Sequence, residues 1–91
     1  MNLSPTPYDL YEWTGTIDVN DYGTDEEKKA MANLICDQYR LTIGRVVKFS
    51  VTKHEIYVTM YKRDERERVL RDENQVALTT TTKYTKARLQ P

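Results

Sequence analysis

The hydrophobic pattern of this chain changes its period near residue 44, and no other feature of the sequence constrains the fold as strongly. Before that point, Met31, Leu34 and Ile35 recur at the spacing of one helix face. After it, Val47, Phe49 and Val51 alternate with polar residues, and residues 56–60 repeat the alternation. A helix followed by local hairpins predicts an α+β fold, with one amphipathic helix packed on a three- to five-stranded, mainly antiparallel sheet.

The helix is predicted over residues 25–42. Thr24 and Asp25 are suitable N-cap residues, Thr24 with Glu27 fits a capping box, and acidic residues 25–27 oppose the positive end of the helix dipole. Gly44 is a natural stop just beyond the last turn. Cys36 lies about 140° from the centre of the apolar stripe at 3.6 residues per turn, so we expect it outside the core.

The rest of the sheet is predicted from weaker patterns. Residues 13–19 suit a short strand interrupted by a glycine, and residues 76–82 form a β-branched run. Residues 64–74 hold eight charges in eleven positions. Here we favour a strand turning at residues 72–74 over a helical turn with i,i+4 ion pairs. No internal repeat is apparent, which argues against solenoids and propellers.

The chain length of 91 residues allows one domain. We divide it into an aromatic, proline-containing N-terminal arm (1–12), which its prolines keep extended, a single α+β domain (13–83) and a basic C-terminal tail (84–91). Only 38% of the residues are apolar and the mean hydropathy is −0.76. The core must therefore be thin, or be completed by a partner subunit.

Several classes of protein are excluded by composition. One cysteine cannot form an intramolecular disulfide, no apolar run reaches the roughly 18 residues of a membrane span, and the N-terminus lacks the features of a secretory signal. We expect a soluble protein of the cytoplasm, or of the host cytoplasm if the source is viral. Basic and acidic residues balance at 14 each, although residues 46–91 carry the basic excess, so only a local basic patch could attract phosphate.

No catalytic or metal-binding constellation is recognisable. His54, in a predicted turn, and Cys36 are too few ligands for a zinc site. Residues 18–29 resemble a calcium loop, but Tyr22 and Lys29 occupy positions that need oxygen ligands. The three glycines never cluster, so no phosphate-binding loop is present. We expect neither an enzyme nor a bound metal or cofactor.

Two aromatic surfaces favour a non-catalytic protein–protein interaction or regulatory module, of a kind typical of viral or accessory proteins. Its partner would be another protein or a second copy in a homodimer. The alternatives are that the sheet face is merely solvated and that Trp13 only fills the core. The predicted partner-binding residues, in the arm and on the outer face of the sheet, are Tyr8, Tyr11, Trp13, Lys48, Tyr57, Tyr61 and Arg63.

Weak binding of RNA or single-stranded DNA is the second hypothesis, because tyrosines flanked by cations can stack bases and contact phosphates. The residues for this role are Lys48, Tyr57, Tyr61, Lys62, Arg63, Lys83, Lys86 and Arg88. Finally, the run of threonines at residues 79–82 predicts either an edge strand guarded by lysines or one that pairs with a strand of a partner.

Overall fold

An open four-stranded antiparallel sheet, in the order β1-β2-β3-β4, carries one long helix. The computed structural model describes residues 7–86, with side chains from residue 10 onwards. The predicted α+β class is confirmed. The elements are α1 (Pro7–Glu12), β1 (Gly15–Asp18), α2 (Glu26–Tyr39), a 3₁₀ turn (Ile43–Arg45), β2 (Val46–Val51), β3 (Glu55–Tyr61) and β4 (Thr79–Thr85).

Helix α2 begins where the sequence predicts and ends earlier. Its N-cap is Asp25, whose carboxylate accepts the Lys28 N–H at 3.1 Å. Its C-cap is Arg40, which takes the left-handed conformation at φ 56°, and the Leu41 N–H donates to the Cys36 carbonyl at 2.8 Å. The prediction that Gly44 stops the helix is therefore wrong. A non-glycine residue makes the left-handed turn.

The core lies between α2, α1 and the inner face of the sheet. The buried side of α2 includes Ala32 and Cys36, whereas Leu34 is only partly buried. Cys36 is 9% exposed, so its predicted place outside the core is wrong. Burial, and secondarily the neighbouring Asp37, raises the pKa of its thiol. The buried apolar residues are Leu10, Ile17, Met31, Ala32, Ile35, Cys36, Val46, Phe49, Val51, Ile56 and Val58.

The predicted hairpin of β2 and β3 is confirmed, with Phe49 opposite Val58. A register shift between Val46 and Lys48 interrupts the alternation at the start of β2. It places Val46 in the core and leaves Val47 half-buried, so Val47 is not the inward residue that alternation predicts.

Both ends of the described chain are tied to the fold. The predicted extended arm contains helix α1, because Pro7 suits the first helical position and Leu10 enters the core. At the other end, β4 continues to Thr85, and Lys86 is 6% exposed where a basic tail was predicted. The Lys86 ammonium donates to the carbonyls of Tyr11 and Trp13 at 3.2 and 2.7 Å. Its burial lowers the pKa of Lys86, against the opposing influence of Glu12.

Candidate functional site

Residues 63–70 and 71–78 form an eight-residue repeat that the sequence analysis missed. The two units read Arg-Asp-Glu-Arg-Glu-Arg-Val-Leu and Arg-Asp-Glu-Asn-Gln-Val-Ala-Leu. Each unit folds into a small hairpin, closed by one isolated bridge between positions 63 and 69 or 71 and 77. Residues 64–74 are therefore neither the continuous strand nor the helical turn weighed from the sequence, although the turn predicted at 72–74 is present.

The first hairpin is organised by Asp64. Its N–H donates to the Arg68 carbonyl at 2.9 Å, and its Oδ1 accepts the N–H groups of Arg66 and Arg68 at 2.8 and 3.0 Å. The Arg68 N–H, and after it the Arg66 N–H and the Arg68 side chain, bind the Asp64 carboxylate and lower its pKa. The Arg63 guanidinium donates to the Glu67 carbonyl at 2.7 Å and so fixes the far side of the turn.

The second hairpin repeats this geometry around Asp72. The Asp72 N–H donates to the Val76 carbonyl at 2.9 Å, and its Oδ1 accepts the N–H groups of Asn74 and Val76 at 2.8 and 3.0 Å. The Arg71 guanidinium donates to the Gln75 carbonyl at 3.0 Å. The Arg-Asp pair at the start of each unit thus produces the same turn in both hairpins.

Three backbone hydrogen bonds join these hairpins to the β3–β4 hairpin in a closed ring. The Leu70 N–H donates to Lys62, the Leu78 N–H to Leu70, and the Lys62 N–H to Leu78, at 2.8, 2.9 and 2.9 Å. We call residues 62–78 the three-hairpin junction. An ion pair between Arg45 and Glu67 at 2.7 Å connects it to the 3₁₀ turn.

The junction exposes apolar side chains. Leu70, Val76 and Leu78 are 38%, 59% and 37% exposed, and they are the large hydrophobic residues that stand out on the surface of the described chain. Isolated exposed apolar residues are common on proteins. Three within nine positions, at the end of an edge strand, indicate a surface suited to contact.

The face of the sheet opposite α2, here called the open face, brings together four predicted site residues: Lys48, Tyr57, Tyr61 and Lys83, which pairs with Tyr57. The first three alternate with the buried residues of β2 and β3. The Tyr57 hydroxyl donates to Glu55 Oε1, and the Tyr61 hydroxyl accepts from Asn20 Nδ2, each at 3.1 Å. Both rings are half-buried, so the open face is a polar surface with its tyrosines held in place.

The outer side of β4, away from β3, is a free edge as far as residues 7–86 are concerned, because β4 pairs only with β3. The Lys86 N–H donates to His54 and the Lys62 N–H donates to Leu78, so the even-numbered residues of this strand direct their backbone groups towards β3. In an antiparallel pair this direction alternates. The backbone groups of Thr79, Thr81 and Lys83 therefore point outwards from the sheet.

The cations predicted for nucleic acid differ in their surroundings. Lys83 pairs with Glu55 at 3.1 Å, Lys86 is buried, and the Arg63 guanidinium is bound within the first hairpin. Lys48 and Lys62 are exposed. Arg88 lies outside the described residues.

The described part of the aromatic arm, together with Trp13, docks on its own domain. The Trp13 side chain is half-buried against the core, and its indole N–H donates to Glu27 Oε1 at 2.8 Å. Tyr11 is half-buried as well. Tyr8 belongs to α1, but its side chain lies outside the described residues.

Comparisons with known proteins found no matching family model, no similar curated protein and no similar solved structure. Among residues 7–86, no group of three or more His, Cys, Asp and Glu side chains could hold a metal ion. In the same part of the chain, no helix is long and apolar enough to cross a membrane.

Proposed function

We propose that this chain is a non-catalytic protein-interaction module that binds a strand of its partner along the free edge of β4. The observation that carries the proposal is the outward row of backbone groups at Thr79, Thr81 and Lys83. An added strand gains main-chain hydrogen bonds there, and pockets or contacts for alternate side chains supply specificity.

The edge of β4 lacks the devices by which proteins usually protect edge strands. Such strands are commonly short, bulged, interrupted by proline or charged. β4 is seven residues long, its register with β3 has no shift, and residues 79–82 are all threonine. Its one charge, Lys83, is paired with Glu55 on the neighbouring strand. The backbone of β4 is therefore an accessible, regular template.

The open face adds side-chain contacts to this edge. Thr81 lies on the open face, since its hydroxyl is 3.0 Å from that of Thr59 and their strands pair at these residues. Tyr57 and Tyr61 lie on the same face of β3. Ordered tyrosines contribute contact area at little entropic cost. Tyr57 and Tyr61 therefore extend the contact surface beside β4.

Nucleic-acid binding has less support than protein binding. Affinity for nucleic acid depends mainly on cations that neutralise phosphates. Lys83 is neutralised by Glu55, and Lys86 is enclosed by the carbonyls of Tyr11 and Trp13. Lys48 and Lys62 leave too little positive charge for tight binding.

Site-specific photocrosslinking in the source lysate tests the proposal. A photoreactive residue replaces Thr79, at the free edge, or Lys53, in the exposed turn between β2 and β3, as the matched control. We expect protein adducts at position 79 that exceed those at position 53 and that disappear on Thr81→Pro. Equal yields at both positions, or adducts to nucleic acid alone, would contradict the proposal.

A further inference from the structure

We infer that the strand bound at the free edge is β4 of a second copy, antiparallel and related by a twofold axis at Thr81. This inference rests on the proposed function, because it names the occupant of the same edge. The pairing would join two open sheets into one continuous sheet with eight strands.

The outward residues of β4 can form hydrogen-bonded pairs with the same residues of a second copy. In an antiparallel pair, two opposed residues whose backbone groups face each other exchange both hydrogen bonds. With the axis at Thr81, this residue opposes its own copy and Thr79 opposes Lys83. Thr79, Thr81 and Lys83 then all find partners, and the strands share about six hydrogen bonds.

Charge and existing contacts select this axis over those at Thr82 and Lys83. An axis at Lys83 would place two ammonium groups directly opposite, and one at Thr82 would make them diagonal neighbours. An axis at Thr82 would also use the Thr85 carbonyl, which already accepts the Tyr39 hydroxyl at 3.2 Å. With the axis at Thr81, the two lysines lie about 13 Å apart along the strands.

The same register would also cover the exposed Leu78 side chain. Even-numbered residues of β4 lie on the helix side, where Tyr84 packs against the core. An axis at Thr81 sets Leu78 of one copy opposite Tyr84 of the other. The Tyr84 ring packs against the Tyr39 ring in a tilted pair, with centroids 4.8 Å apart. The 37% exposed Leu78 would thus be covered by an aromatic pair at each end of the interface.

Cysteine crosslinking of the full chain tests the register. Opposed residues of a hydrogen-bonded antiparallel pair have Cα atoms about 5.5 Å apart, within the range of roughly 4.4–6.8 Å that a disulfide spans. We expect Thr81→Cys to form a covalent dimer under mild oxidation and Thr79→Cys to remain uncrosslinked. A mixture of Thr79→Cys and Lys83→Cys should yield the mixed dimer. Cys36 is buried, so it should not compete.

Light scattering over a concentration range supplies the independent readout. The unmodified chain should approach twice 10.7 kDa. Thr81→Pro removes an outward N–H and should give the monomer mass, whereas the control Thr81→Val loses only the hydroxyl and should still dimerise. If Thr81→Pro does not fold, the cysteine series decides the question.

The outcomes separate this inference from the proposed function. A monomer at all concentrations, with edge-specific adducts to a different protein, would overturn the second copy as partner and leave strand addition intact. Faster self-crosslinking by Thr79→Cys than by Thr81→Cys would overturn the register. Absence of both self-association and edge-specific adducts would remove the inference together with the proposed function.

Discussion

At the scale of single residues, the two small hairpins depend on left-handed backbone at non-glycine positions. Glu67 and Gln75 occupy equivalent places in the repeat, at φ 64° and 66°. For a residue with a Cβ atom this conformation costs about 1–2 kcal/mol. The hairpins tolerate that cost because Asp64 and Asp72 bind the surrounding N–H groups.

Replacing Gln75 by glycine should therefore stabilise the protein. The expected gain is about 1 kcal/mol, because glycine adopts positive φ without steric strain. Glu73→Gly is the matched control, since residue 73 lies in the same turn without positive φ, and this variant should be neutral or destabilised. Chemical denaturation measures both. A loss of stability for Gln75→Gly, equal to that of Glu73→Gly, would contradict the turn geometry.

Glu55 makes stability depend on acidity. The Lys83 side chain, and then the Tyr57 hydroxyl, bind its carboxylate and lower the pKa of Glu55 in the folded state. A lowered carboxyl pKa contributes stability at neutral pH that is lost as the pH falls through the folded-state pKa. We expect Glu55→Gln to be less stable than the unmodified chain at pH 7, and the difference to shrink at acidic pH.

Thermal unfolding between pH 7 and acidic pH, with Glu65→Gln as the control, measures how the stability difference depends on pH. Glu65 is exposed, and its side chain makes no hydrogen bond or ion pair with the described residues 7–86. A difference between Glu55→Gln and the unmodified chain that stays constant with pH would contradict the assignment to the Glu55 carboxylate.

At the scale of elements, β1 packs closely against Trp13, which precedes it. Gly15 has φ 156°, and a Cβ atom there would lie 2.7 Å from the Trp13 ring. Gly15→Ala should destabilise the fold by about 1–3 kcal/mol through overpacking and should shift the fluorescence of Trp13. Gly44→Ala meets no atom within 4 Å and is the matched control. Equal stability of the two variants would show that Trp13 does not pack on β1.

Elements with a strong local period were predictable from the sequence. Helix α2 and the β2–β3 hairpin follow from alternation and capping, because those signals depend on neighbouring residues. The end of α2 at Arg40 and the bulge at Val46 could not be predicted in this way. A left-handed arginine and a register shift depend on tertiary packing, which local patterns do not show. The burial of Cys36 likewise depends on which side of α2 meets the rest of the fold.

The three-hairpin junction was missed although the sequence contains its signal. The spacing of eight residues between Arg63-Asp64 and Arg71-Asp72 is visible in the sequence, but it is much shorter than the periods of solenoid repeats. By contrast, the open face follows from the alternation in β3. To predict the free edge, the order of the strands in the sheet must be known, and the alternation of residues does not give that order.

At the scale of the whole molecule, residues 7–86 combine a thin core with a long edge strand that is unpaired on its outer side. The junction lies beyond the ends of β3 and β4, and the maximum extent of the molecule is 49 Å against a minimum of 21 Å. An elongated domain with a regular edge can associate without any rearrangement of its core. We therefore expect the outward backbone groups of β4 to be hydrogen-bonded in the assembled protein.

Residue-resolved amide hydrogen exchange, measured on dilute and concentrated samples, tests whether these groups are hydrogen-bonded. The Thr80 and Thr82 amides, which face β3, should be protected in both samples. The Thr79, Thr81 and Lys83 amides should exchange at least ~10-fold more slowly in the concentrated sample, because dimerisation would place them in a ladder. Equally fast exchange of these three amides at every concentration would contradict the account.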